Sequence, residues 1–158
     1  MMEENIPLYD IRIDKEGTWY FRGAEMFRRE IVNYFYEHIR LDSSGRYLIE
    51  LPGDRCYVDV EDTAFVVKGV HFGKGSPDGG EGIIATLSDD SVEMIDPDTL
   101  CIGLQNVIYC SVKKGAFTAR FSRAGYYQLA ERIEYDVEQD SYYLSLNDRR
   151  FDLHHQST

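Results

Sequence analysis

Hydrophobic and polar residues alternate in steps of two along most of this chain and change to helical spacing in two places. Leu8 to Ile13 sets Tyr9, Ile11 and Ile13 against Asp10 and Arg12, the pattern of a half-buried strand. Asp14-Lys15-Glu16-Gly17 reads as a hairpin turn. Thr18 to Arg22 then alternates again, placing Trp19 and Phe21 on one side as core residues. From Ala24 to Arg40 the period becomes helical, with Phe27, Ile31, Tyr34, Phe35, His38 and Ile39 at three- and four-residue steps. This predicts an amphipathic helix of about four turns. Asp42-Ser43-Ser44-Gly45 ends it, and strands Tyr47 to Leu51 and Cys56 to Val60 follow around Pro52-Gly53-Asp54.

A second passage runs through the same order of events. Val107 to Val112 and Ala116 to Phe121 read as strands around Lys113-Lys114-Gly115. Ser122 is placed to cap a helix whose stripe is Tyr126, Leu129, Ala130, Ile133 and Val137. Tyr142 to Leu146 and Arg150 to Leu153 follow around Asn147-Asp148. Gly17, Trp19 and Arg22 recur at a constant offset as Gly115, Phe117 and Arg120. The expected architecture is therefore α+β: two tandem similar units, each strand-strand-helix-strand-strand, with an antiparallel sheet packed on one helix. At roughly 45 residues each would be marginal alone. The expected division is 1–70 for the first unit, a Gly-rich loop at 71–82, and 83–158 for the second. How the middle segment, 64–106, divides between them stays open.

Composition narrows the classes. With 43% hydrophobic and 28% charged residues the chain is globular in character rather than disordered. A net charge of −11 argues against a nucleic-acid backbone or an anionic bilayer as the main partner, because both repel it. Cys56, Cys101 and Cys110 share no CxxC spacing, which suits free thiols in a reducing compartment. No secretory signal and no apolar run near the ~20 residues of a membrane span is present, so a cytoplasmic location is expected.

Candidate chemistry is sparse. The stretch His71 to Gly82 is rich in glycine, yet Gly73-Lys74-Gly75 lacks P-loop spacing and no Ser or Thr follows the lysine. Asp96-Pro97-Asp98-Thr99 reads as a turn and not a calcium loop, and His154-His155 lacks the partners of a zinc site. No GxSxG elbow occurs. No catalytic residue, metal site or cofactor is expected, although Glu61-Asp62 with a histidine leaves a small hydrolase or isomerase as an alternative. Twelve tyrosines suit a surface that buries a ring and keeps a wet hydroxyl, which leaves a structural homo-oligomeric subunit as another.

"GTWYFRG" (Gly17 to Gly23), "VEDTAFVV" (Val60 to Val67) and "VIYCSVKKGAFTARFSRAGYYQLAE" (Val107 to Glu131) together resemble the bacterial proteins of domain-of-unknown-function family 1285. Thr63-Ala64 and Leu51-Pro52-Gly53-Asp54 depart from the family pattern, which marks a divergent member. The resemblance implies a duplicated α+β architecture similar to pleckstrin-homology-like modules, a role in signalling or ligand binding, and no particular activity. The leading expectation is thus a non-enzymatic binding or regulatory module. It would hold a small molecule or protein partner at the junction of its two units, with Tyr20, Arg22, Glu61, Asp62 and Arg120 as candidate binding residues.

Overall fold

The computed structural model describes residues 8–77 and 79–156 and divides into two compact units, Met1–Ala64 and Phe65–Thr158. The first unit contains strands β1 (Leu8–Ile13), β2 (Trp19–Phe21) and β3 (Ala24–Glu25), helix α1 (Arg29–Glu37), and strands β4 (Ile39–Leu41), β5 (Tyr47–Leu51) and β6 (Asp54–Val60). They form one six-stranded sheet in the order β3-β2-β1-β6-β5-β4. Its two hairpin runs are joined by a parallel pairing of β1 with β6, so the sheet is mixed and not antiparallel throughout as expected. Alternation within a strand reports which face is buried; it carries no information about the direction of a distant partner.

Turn chemistry explains the first three strands. Asp14 Oδ1 accepts from the backbone N–H groups of Glu16 and Thr18, and Gly17 supplies a left-handed φ of 84°. Between β2 and β3, Arg22 (φ 51°) and Gly23 (φ 81°) are both left-handed, the conformation of a two-residue type I′ hairpin. That tight turn sends Ala24–Glu25 back along β2 as a strand, so the predicted helix loses its first turn. At the other end, Ile39–Leu41 pairs with β5 and removes the last. The helix is nine residues long rather than four turns.

Its buried face also differs from the expected stripe. Val32 and Tyr36, one turn apart, are buried, while Phe27, Ile31 and Tyr34 are exposed. The reason is Trp19, 1% exposed, whose ring lies 4.9 Å from Tyr36 and 6.0 Å from Phe35 and so selects the face of the helix that docks. Tyr36 Oη then donates to the Ala64 carbonyl at 2.8 Å. Trp19 is core as expected, but Phe21, the last residue of β2 before the Arg22-Gly23 turn, is 42% exposed. The inward placement expected for Tyr9 lies outside the described residues.

The second unit begins with β7 (Phe65–Lys74), β8 (Glu81–Leu87) and β9 (Val92–Ile95), continues through a 3-10 turn (Pro97–Thr99) to β10 (Cys101–Ile102), β11 (Ile108–Val112) and β12 (Phe117–Phe121), and then forms helix α2 (Arg123–Ala130). Strands β13 (Ile133–Asp136), β14 (Ser141–Leu146) and β15 (Arg149–Asp152) make a separate three-stranded sheet, and β16 (His154–His155) closes the edge of the main one. The main sheet has the order β16-β10-β11-β12-β7-β8-β9. Apart from β16 this is the order of the first sheet with every strand number raised by six, and β7 pairs parallel to β12 as β1 does to β6.

The likeness between the units therefore lies elsewhere than expected. By connectivity β11 and β12 correspond to β5 and β6, not to β1 and β2, and β14 and β15 sit in another sheet altogether. A hairpin that alternates looks the same in sequence whichever half of a sheet it occupies. The expected helical stripe is shortened as well: α2 ends at Ala130, Ile133 begins β13, and Val137 is exposed.

Of residues 71–82, expected as a Gly-rich loop between the units, 71–74 and 81–82 belong to the two arms of the β7–β8 hairpin, paired from His71↔Ile84 to Lys74↔Glu81. Gly73 faces Gly82, so two absent side chains erased the alternation that would have marked the strands. The space over Gly82 is filled by Met94, whose Sδ lies 2.7 Å from where a Cβ would sit. The hairpin end is fastened: Glu81 N–H donates to Asn147 Oδ1 (2.9 Å), Asn147 Nδ2 donates back to the Glu81 carbonyl (2.8 Å), and Arg132 grips the Glu81 carboxylate with both nitrogens.

Candidate functional site

Of the five residues marked out in the sequence, Tyr20, Arg22, Glu61 and Asp62 lie in the first unit and Arg120 in the second. Glu61 accepts from the Lys15 backbone N–H at 2.6 Å and from Arg12 at 3.4 Å, and so fastens the β1–β2 turn to the end of β6. Tyr20 donates to Asp14 Oδ2 at 3.1 Å in the same turn; that hydrogen bond, with some burial, raises its phenol above the ordinary tyrosine range. Arg12 links the two, its guanidinium 6.0 Å from the Tyr20 ring and paired with Glu61. These groups are engaged in holding a turn. Asp62 lines a different, open polar groove of about 760 Å³ beside Asp10, Asp59 and Arg46, where Arg46 stacks 3.5 Å from the Tyr57 ring centroid. Among the described residues no three His, Cys, Asp or Glu side chains are gathered to hold a metal ion. Arg120 lies within β12, in register with Tyr109 and Val66.

Arg22 is placed differently. It occupies the β2–β3 turn, donates its backbone N–H to the Asp10 carbonyl, and lays its guanidinium 5.2 Å from the centroid of the Phe21 ring. Among the described residues it makes no ion pair. Phe21 in turn lines an apolar groove of about 460 Å³ in the first unit. Ile11 and Phe21 come from the sheet, Met26 and Phe27 from the connection to α1, and Ile31 and Phe35 from the helix; Arg28 is the one polar residue of its lining.

The local fold explains why this surface is open. Met26 N–H donates to the Trp19 carbonyl at 2.9 Å, which pins the connection against β2 and aims Phe27 outward. Phe27 is 77% exposed, and Ile31 sits on the helix face that Val32 and Tyr36 leave to solvent. Scattered exposed apolar residues are ordinary; here Phe21, Phe27 and Ile31 are exposed around one concavity. Sequence reasoning named Arg22 but assigned Phe21, Phe27 and Ile31 to the core. The signal it lacked was the pair Arg22-Gly23: a type I′ turn there ends β2 after Phe21 and shortens the helix.

The second unit carries a smaller cavity, about 240 Å³, between α2 (Tyr126, Ala130), the main sheet (Ile102, Ile108) and the three-stranded sheet (Ile133, Tyr142). It falls below the ~300 Å³ at which ligand pockets ordinarily begin. The buried Cys110 beside it in sequence is pushed by desolvation to a thiol pKa of about 12, which makes it inert as a nucleophile. All three cysteines are free thiols.

A mixed six-stranded sheet carrying one docked helix makes the first unit α+β. Comparison with known proteins supplies the family. Residues 4–63 match the model of the N-terminal domain of the DUF1285 family, a domain of unknown function. The fold of the whole chain is likewise that of DUF1285 proteins. It is similar to the crystal structure of a DUF1285 family protein from Silicibacter pomeroyi DSS-3 with a TM-score of 0.74 and 19% identity, covering 95% of this chain and 84% of that one. A DUF1285 family protein from Shewanella baltica OS155 matches with a TM-score of 0.62 and 16% identity over 77% of this chain and 91% of that one. No curated protein matches the sequence. No helix among the described residues is long and apolar enough to cross a membrane.

Proposed function

We propose that this chain is a non-enzymatic binding module of the regulatory kind, and that its recognition surface is the apolar groove of the first unit. The observation that carries the reading is the exposure of Phe21, Phe27 and Ile31 around one concavity whose lining is apolar but for Arg28. A fold under no other demand would turn at least the 77%-exposed Phe27 inward or replace it, since burial of such a ring is worth about 1.5–3 kcal/mol. The signalling role and the pleckstrin-homology-like character that the family resemblance implies fit this reading, because such a role is served by docking without chemistry. Of the residues marked in the sequence, Arg22 belongs to this surface.

The test is a selection of displayed random peptides on the intact protein and on a Phe27→Asp/Ile31→Asp variant. Both substitutions are at exposed positions, so the variant should melt within a few degrees of the parent. Peptides that bind the parent and not the variant support the reading. Recovery of none would overturn it.

A further inference from the structure

Resting on that reading, we infer that the groove of the first unit takes an amphipathic α-helix of a protein partner, with acidic residues flanking its apolar anchors. The lining decides the backbone conformation of the occupant. Ile11, Phe21, Met26, Phe27, Ile31 and Phe35 offer no hydrogen-bonding side chain, and Arg28 stands alone among them. An extended peptide laid there would leave its own N–H and C=O groups facing hydrocarbon, whereas a helix satisfies its backbone internally and presents only side chains. Strand addition has little to work with: the outer strand on this side of the sheet, β3, is two residues long. A groove of about 460 Å³ holds two or three large side chains, the number a helix projects from one face at i, i+3 or i+4, and i+7.

The rim decides the charge. The chain carries 28 acidic residues against 17 basic ones, yet from Arg22 to Glu30 three arginines stand against two glutamates. Arg28 reaches Glu30 at 3.0 Å across solvent, with both side chains more than two-thirds exposed, and so stays available for exchange to a partner's carboxylate. Arg22, without an ion pair among the described residues, lays its guanidinium 5.2 Å from the ring centroid of Phe21, a lining residue of the groove. An anionic bilayer would also meet arginines and aromatics, but it would lie against a whole face of a chain whose net charge is −11, whereas a helix meets only the groove and the arginines beside it.

The peptides recovered by the selection are synthesised and their binding to the intact protein measured by fluorescence anisotropy and circular dichroism. The inference expects sequences with large apolar residues at helical spacing and Asp or Glu beside them, which gain helicity on binding. Arg22→Glu should weaken them about tenfold, as loss and reversal of one charge at an interface does, and Ile31→Asp about thirtyfold or more, the effect of removing a buried anchor. Thermal melts of both variants confirm folding. Groove-dependent peptides that stay extended, or that carry Lys or Arg in place of the acids, would overturn the helical or acidic occupant while leaving the binding module intact. Failure to find any groove-dependent peptide would remove both. Vesicles of anionic and zwitterionic lipid serve as a further arm: co-sedimentation lost on Phe27→Asp, without peptide binding, assigns the surface to a membrane and overturns the inference.

Discussion

The two main sheets of this molecule share one strand order and use it differently. In the first, a helix is inserted between the two hairpin runs, after β3; in the second, that position holds only the Pro97–Thr99 turn, and the helix comes after β12. The corresponding turns differ too. In the second unit the β8–β9 turn is fastened by Asp89 to Lys113 of the β11–β12 turn at 2.7 Å, whereas in the first the β2–β3 turn carries Arg22, which makes no ion pair among the described residues. One unit ties its sheet ends together and adds a second small sheet. The other leaves an arginine and an apolar face open. A common strand frame thus fixes neither where a helix docks nor which surface stays uncovered.

The largest expected effect tests how each helix is held. α1 docks on an aromatic cluster, so Trp19→Ala should lower stability by about 3–5 kcal/mol in urea unfolding, since no neighbour fills the void. Trp19→Phe should lower it by less, because Trp19 Nε1 is buried without a hydrogen-bond partner among the described residues and its removal returns part of the loss. Equal destabilisation by the two substitutions would show that the indole N–H is satisfied in solution.

α2 docks by close approach instead. At Gly125 a Cβ would lie 2.9 Å from the Val67 carbonyl oxygen, a backbone atom that cannot swing away, and Gln128 Oε1 accepts from Val70 N–H at 2.6 Å three residues on. Gly125→Ala should therefore destabilise by up to about 3 kcal/mol even though alanine is the better helix former. A neutral or stabilised variant would mean that the helix rides further from β7 than described.

Much of this frame was legible. Alternation located β5 to the residue, the hairpin turns fell where Gly17, Gly53 and Asn147-Asp148 predicted them, and Ser122 caps α2, its Oγ accepting from Gly125 N–H at 3.1 Å. Each of these is a local property, read within a few residues. What could not be read is long-range: the parallel pairings β1–β6 and β7–β12, which decide that β11 corresponds to β5, leave no trace in the alternation of either strand. The site was half visible for the same reason. An apolar stripe on a helix looks identical whether it faces a sheet or a partner, and only the position of Trp19 in space tells Val32 from Ile31. Glu61 stood out as an acidic neighbour of Asp62, and nothing local reveals that Lys15 and Arg12 engage it.

That adjacency gives the next prediction. Val32, 1% exposed, and Ile31, 36% exposed, are neighbours on the same helix with similar side chains. Val32→Ala should destabilise by about 2 kcal/mol and Ile31→Ala by less than ~0.5 kcal/mol. Thermal unfolding of the two variants side by side measures the difference. Comparable losses would place Ile31 in the core and close the groove.

The smallest effect concerns the fastened turn of the second unit and is seen only in acid. Burial alone would raise the Asp89 carboxyl, but hydrogen bonds from Lys113 Nζ (2.7 Å) and from Ser91 outweigh it and hold the group below the ordinary aspartate range. A carboxylate with a depressed folded value stabilises the native state above its unfolded value, and that contribution is lost as pH falls through the depressed one. Asp89→Asn should therefore lower stability at neutral pH by no more than about 1 kcal/mol and flatten the decline of melting temperature below the ordinary aspartate value. The Lys113 ammonium still faces the amide after that substitution, so Asp89→Asn/Lys113→Met is the cleaner comparison: it should remove the same stretch of pH dependence without leaving a partly buried cation unpaired. Arg22→Met, at the corresponding turn of the first unit, should change neither the neutral stability nor the acid limb. A steepened or flattened limb there would reveal an ionic partner for Arg22 within the chain itself, and would remove the difference between the two turns on which the open groove depends.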